Sequence, residues 1–154
     1  MPEPTIRSYQ PSPVPSGREP TLLFNCIPNV VFANHRIFIS HVRAGIPGRW
    51  LAGIIETTDQ KEGIKNALSM TSDQLRDACQ SETLDPETTE VVLDIARVLS
   101  LSISVWESQD LAAQWLKSPV PALTDLPPMS LMDSFEGRRW VMCVLKKIEF
   151  GQFS

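Results

Sequence analysis

An all-α fold in two parts, a helix-turn-helix-like unit followed by a C-terminal helical domain, is predicted by three observations. From Trp50 to Ile148 the apolar residues recur mostly at three-to-four spacing, the period of a helix with one buried face. Asp85-Pro86-Glu87 places a capping carboxylate, a first-turn proline and an acid in helix-starting order. The prolines gather at 1–20 and 119–128, where helices cannot continue, and so divide the chain.

Residues 1–20 hold six of the thirteen prolines and little that could fill a core, which predicts an extended or disordered arm. Leu22 to Ile27 is a short apolar run, readable as a strand or a docked arm. Asn34 can cap a helix over His35–Ala44 that Gly45 ends. Alternation of Ile37, Ile39 and His41 also fits a strand. These residues, 21–44, form an N-terminal extension.

Pro47 suits a first helical turn, and Trp50, Leu51, Ile54 and Ile55 give that helix its inner face. Asp59 is placed to cap a second helix through Leu68, and Thr71 or Ser72 a third that buries Leu75 and Cys79. Three short helices joined by tight turns outline a helix-turn-helix. From Pro86 the face Val91, Val92, Ile95, Leu99, Ile103 and Trp106 predicts one long helix to 106, closing a unit over 45–106. Leu99 to Val105 alternates apolar residues with serine, a strand pattern, but no breaker separates it from the helical run.

The last part, 107–154, begins with Ser108 as cap of a helix to Lys117 burying Leu111, Ala112, Trp115 and Leu116. Pro119, Pro121, Pro127 and Pro128 impose a non-helical connection. Asp133 and Glu136 resemble a capping box opening a helix over about 134–150. Val141, Val144, Leu145 and Ile148 share its inner face, Lys146 and Lys147 lie near its negative end, and Gly151 stops it.

The 42% hydrophobic and 21% charged fractions are those of a globular domain, and no apolar run is long enough to span a membrane. Met1 to Gln10 lacks a signal-peptide pattern, so a cytoplasmic protein is expected. Cys26, Cys79 and Cys143 are scattered, odd in number and outside any metal-ligand spacing, which predicts buried reduced thiols. His35 and His41, six residues apart, have no acid or cysteine beside them to complete a metal site. A Cys26/His35 nucleophile pair has no recognisable orienting group, and the dispersed glycines form no phosphate loop. No enzyme, metal or cofactor is expected.

Nucleic-acid binding can be judged from charge. The net charge is −4, and between Ser69 and Asp94 one base, Arg76, faces seven acids, a local net of −6. The third helix of a DNA-reading unit would meet phosphates with that charge. Arg43, Arg49, Lys61 and Lys65, with Arg76, are the remaining candidates for phosphate contact.

Trp115-Leu116, Pro119, Ala122-Leu123, Pro128, Leu131, Glu136-Gly137, Val141, Leu145, Ile148-Glu149 and Gly151 form a pattern over many positions. That pattern closely resembles the C-terminal toxin-binding region of the Xre/MbcA/ParS antitoxins, partners of RES-domain toxins that attack NAD. Upstream, Gly45-Ile46-Pro47 is similar to the Gly-Leu-Pro that opens the helix-turn-helix in that family. Leu84-Asp85-Pro86-Glu87 resembles its Leu-Ser-Pro-Glu, whereas Thr88-Thr89-Glu90 stands where the family has Ser-Asp-Arg. The third helix likewise lacks the Arg and Lys residues common in relatives.

The resemblance implies an Xre-like unit that dimerises and a C-terminal domain that binds toxin. It implies a non-enzymatic type II antitoxin without cofactor, a homodimer that forms a hetero-oligomer with its RES-domain toxin. In the family the last helix and tail lie against the toxin and obstruct its NAD cleft. Carried over, this nominates Arg139, Lys146, Lys147, Glu149, Gln152, Phe153 and Ser154, with Phe153 as apolar anchor. Two other readings stay open: a helix-turn-helix transcriptional autoregulator, and a cysteine-dependent enzyme using Cys26 or Cys143.

Overall fold

In the computed structural model, which describes residues 22–151, the chain enters through a hairpin of β1 (Leu22–Leu23) and β2 (Ile27–Pro28). The expected arm over 1–20 lies outside the described residues. The strands pair antiparallel, Leu22 with Pro28 and Leu23 with Ile27, around Phe24 and Asn25 in the left-handed region. The short helix α1 (Val30–Ala33), absent from the sequence reading, follows and buries Val31. Asn34 then caps α2 (His35–Ala44) by accepting from the backbone N–H groups of Arg36 and Ile37. The strand alternative for this segment is thereby replaced by helix, with Ile39 turned to solvent and Ile37 half-buried. Gly45 ends α2 at φ +82°, where an added Cβ would also strike the Leu84 carbonyl.

The helix α3 (Gly48–Thr58) follows Pro47 and buries Trp50, Leu51 and Ile54. Asp59 does not cap the next helix as expected. It closes α3 in the left-handed region at φ 53°, donating its N–H to the Ile55 carbonyl. Only Asp59 and Gln60 separate α3 from α4 (Lys61–Ala67), so the reversal needs a left-handed residue, which aspartate tolerates. Helix α5 (Ser72–Gln80) is started by Thr71 in a reciprocal box with Gln74. Its Leu75 and Ala78 are buried, while Cys79 is half-buried.

Helix α6 (Pro86–Trp106) is unbroken, as the hydrophobic face predicted, and α2, α3, α7 and α8 all pack on it. The serine alternation is resolved within the helix: Ser102 is fully buried and donates to the Leu99 carbonyl at 2.7 Å. At its start, Asp85 accepts from the Thr88 N–H and hydroxyl, both at 2.8 Å, and these bonds hold its carboxyl below the usual pKa. Asp85→Ala is expected to cost about 1 kcal/mol at neutral pH by losing this cap. Because the folded pKa is depressed, the contribution is present above the ordinary carboxylate range and lost as pH falls through the folded pKa. Urea titrations of both proteins should therefore differ at pH 7 and converge in strong acid.

Ser108 caps α7 (Gln109–Lys117), which buries Ala112 and Leu116. Leu111, expected in the core, is 50% exposed, and Trp115 is half-buried. The inner face is set by Ala112 and Leu116, four residues apart, and Leu111 stands about 100° away from Ala112 around the axis. The proline connection contains two 3-10 turns, Pro121–Leu123 and Pro128–Leu131, which bury Leu123 and Met129.

The last helix, α8 (Phe135–Glu149), starts one residue later than the Asp133 reading required. Ser134 is the cap, accepting from the Gly137 N–H at 3.0 Å, so Glu136 occupies the second helical position and contributes charge rather than a box. Both Asp and Ser are competent caps, and the position of the turn selects Ser134. A single apolar cluster runs from Phe24 to Leu145 and joins all these helices.

Candidate functional site

Three contacts hold α8 in place before its outer face can matter. Gly137 passes the Leu131 carbonyl so closely that any Cβ would collide with it, which gives the Glu136-Gly137 motif a steric cause. Arg138, only 7% exposed, donates to Asp94 of α6 at 2.6 Å and to the Met132 carbonyl at 2.9 Å. Asp94 also meets Arg97 at 3.4 Å, and the Arg97 guanidinium lies 4.4 Å from the Phe38 ring centre on α2. Val141, Val144 and Leu145 complete the buried face, with Ile148 packed at its edge. The motif residues expected as core are therefore core, except that Trp115 and Ile148 are only partly covered.

With that face fixed, helical geometry at about 100° per residue sets the other one. Arg139, Trp140, Cys143, Lys147 and Phe150 fall within an arc of about 100° and all are exposed. Of the nominated contacts, Arg139 and Lys147 lie inside this stripe and Lys146 lies at its edge. Glu149 sits about 130° from the middle of the stripe, on the other flank of the helix. Gln152, Phe153 and Ser154 lie outside the described residues.

Trp140 and Phe150 were missed in the sequence reading, although Phe150 is 71% exposed and Trp140 37%. The signal was present. Once Val141, Val144, Leu145 and Ile148 define the inner face, the residues opposite it follow from the helical period. Cys143 corrects an expectation: it is exposed, and Cys26 and Cys79 are only half-buried. Burial raises the pKa of both half-buried thiols, against the weaker opposing effects of Arg49 on Cys26 and Lys61 on Cys79.

Beside α8 a groove of about 550 Å³ runs between Trp106, Trp115, the Pro119–Ala122 turn, Val144 and Ile148. Four of its residues, Trp115, Pro119, Ala122 and Ile148, belong to the motif noted in the sequence. Most apolar motif positions thus fill the core or line this groove, while Glu136, Glu149 and Gly151 are exposed and the outer stripe is composed of other residues.

The candidate phosphate contacts are spread over four helices: Arg43 on α2, Arg49 on α3, Lys61 and Lys65 on α4, and Arg76 on α5. Two are engaged with acids one turn away, Lys65 with Glu62 and Arg76 with Asp73, each at 2.9 Å. The outward face of α5 carries Asp73 and Asp77 beside Arg76. Among the described residues no three His, Cys, Asp or Glu side chains gather as a metal site. His41 bonds the Ile37 carbonyl and stacks on Trp50, and the Cys26 thiol points to the Trp50 carbonyl at 3.7 Å. No helix among the described residues is long and apolar enough to cross a membrane.

Residues 103–151 match the family model described as the antitoxin Xre/MbcA/ParS C-terminal toxin-binding domain. The match begins in the last turn of α6 and takes in α7, the proline turns and α8. The chain is also 28% identical over 86 residues to the Prs ADP-ribosylating antitoxin of Sphingobium sp. (strain YBL2). That likeness covers 50% of this chain and 54% of the relative, so the chain spans about half the length of the curated relative. The likeness to the Xre/MbcA/ParS antitoxins therefore lies in the C-terminal residues 103–151.

Proposed function

We propose that this chain is the antitoxin of a type II toxin-antitoxin system and neutralises a RES-domain toxin that degrades NAD or transfers ADP-ribose from it. Inhibition is steric: α8 and the tail after it cover the toxin's active-site cleft, and no catalytic group is supplied. The observation that carries this reading is the two-faced build of α8. Its inner side is locked by Gly137, Arg138 and the core, while Arg139, Trp140, Lys147 and Phe150 are presented outward on a rigid element. Exposed aromatics are enriched at interface centres, and the cations beside them suit the polar rim. Lys146 lies at its edge and Glu149 farther round the helix, and among the next residues in sequence, Gln152, Phe153 and Ser154, Phe153 is the proposed anchor entering the cleft. The relative's name supports a partner that acts by ADP-ribosylation.

The direct test expresses the neighbouring gene's product with and without this chain and follows growth and cellular NAD. Restored growth with preserved NAD is expected; unrestored growth, or a neighbour unrelated to RES proteins, would contradict the reading. Deleting Gln152–Ser154 separates its parts, because full protection by the shortened chain would exclude the tail while leaving the antitoxin role. Cys143 supplies a further check at the middle of the stripe. N-ethylmaleimide should modify it before Cys26 and Cys79, and saturating toxin should slow its modification at least tenfold.

We also place the dimer contact in residues 45–106 and the toxin contact in 107–154. Operator binding is the weaker role, since the exposed side of α5 would bring Asp73 and Asp77 towards phosphates. A mobility-shift assay with upstream DNA, with and without toxin, tests it; tight, salt-sensitive binding would restore the regulator reading.

A further inference from the structure

From Trp106 to Ile148, every residue lining the groove beside α8 falls within 103–151, the part of the chain that matches a toxin-binding domain. Pro119, Pro121 and Ala122 are exposed along it, and Trp115 and Ile148 are half-buried, so apolar surface is left open there. Covering such surface with a partner is favourable roughly in proportion to the area removed from water. The lining carries no charged side chain, hydroxyl or amide. A small-molecule site needs a few convergent polar groups to orient its ligand, whereas an apolar side chain needs none. The groove also adjoins the outer stripe. Val144 and Ile148 form its α8 side, and Trp140 and Lys147 stand about 40° and 60° round the helix from Val144. Groove and stripe therefore share one edge of α8. Lys147 and Arg139 enter no ion pair among the described residues, which leaves positive charge across that edge.

On the antitoxin role proposed for this chain, we propose that the groove takes a second contact from the toxin: a large apolar side chain, carried on a segment whose neighbouring residues are acidic. The apolar side chain enters the groove, and the acids meet Lys147 and Arg139 across the shared edge. An apolar anchor in a pocket with a charged rim is the arrangement that concentrates binding energy in a few residues. The groove thus adds affinity at a place separate from the tail that closes the cleft.

The test changes Ala122, which is exposed on the first 3-10 turn and lines the groove. Ala122→Trp fills the groove, Ala122→Glu places in it a charge that repels an acidic partner, and Ala122→Ser leaves it open. Each full-length variant is titrated calorimetrically into the purified product of the neighbouring gene, with thermal melts to verify that the fold is retained. Ala122→Trp and Ala122→Glu should bind about thirtyfold more weakly than the natural chain, and Ala122→Ser within about twofold of it. With p-benzoylphenylalanine in place of Ala122, crosslinking should reach the toxin at an apolar residue that has an acid within about four positions. Natural affinity in Ala122→Trp or Ala122→Glu, or crosslinking only to a second copy of this chain, would overturn the groove contact and leave the antitoxin role intact. A neighbouring product that the natural chain does not bind would overturn that role, and the groove contact with it.

Discussion

Trp140→Ala and Phe150→Ala are each expected to weaken toxin binding by about thirtyfold, or about 2 kcal/mol, with little change in folding stability. Both rings stand on the outer stripe of α8, with Phe150 71% and Trp140 37% exposed, so removing them opens no core cavity. An aromatic ring that becomes fully covered at the centre of an interface carries a disproportionate share of binding energy. Rim cations behave differently. Arg139→Ala and Lys147→Ala should slow association and reduce its salt dependence, with a smaller loss of affinity. Isothermal titration with purified toxin, paired with thermal melts of each variant, distinguishes these outcomes. Unchanged affinity in the Trp140/Phe150 double variant would remove the stripe from the interface.

Arg138→Ala is expected to destabilise the fold by about 3 kcal/mol, because it leaves the Asp94 carboxylate inside the structure without its main partner. It also strips the Met132 carbonyl of the donor that ties the second 3-10 turn to α8. The double variant with Asp94→Ala should recover part of that loss, since no charge is then stranded. Urea denaturation of the four proteins in the cycle gives the coupling directly. Equal losses in the single and double variants would show that packing, rather than the ion pair, positions the helix. A partial loss of toxin binding should accompany Arg138→Ala, recovering at low temperature where the fold is retained; Trp140→Ala should not recover in this way.

The contrast between those two predictions also marks what could be read from the chain. Asp85 and Thr71 were legible as caps because capping is local: donor and acceptor lie within a few residues. The long helix α6 was legible against the serine alternation only because no breaker interrupts it, and the buried hydroxyl of Ser102 could not be foreseen from spacing. Asp59 misled because it has the composition of an N-cap but sits in a two-residue reversal between helices. Cys143 misled because cysteine is usually buried, while its place on α8 is decided by the phase of its neighbours. Arg138 pairs with Asp94, 44 residues away, and nothing local announces that bond. The motif residues mostly fill the core or line the groove; the outer stripe of α8 emerges only after the inner face is known.

The central claim, that α8 and the tail close the toxin's NAD cleft, is tested most directly by inhibition kinetics. NAD consumption by the purified toxin should be measured against this chain at several NAD concentrations. Occlusion predicts that the apparent inhibition constant rises linearly with NAD while kcat at saturating NAD is preserved. Inhibition that is independent of NAD concentration, with kcat reduced, would contradict it.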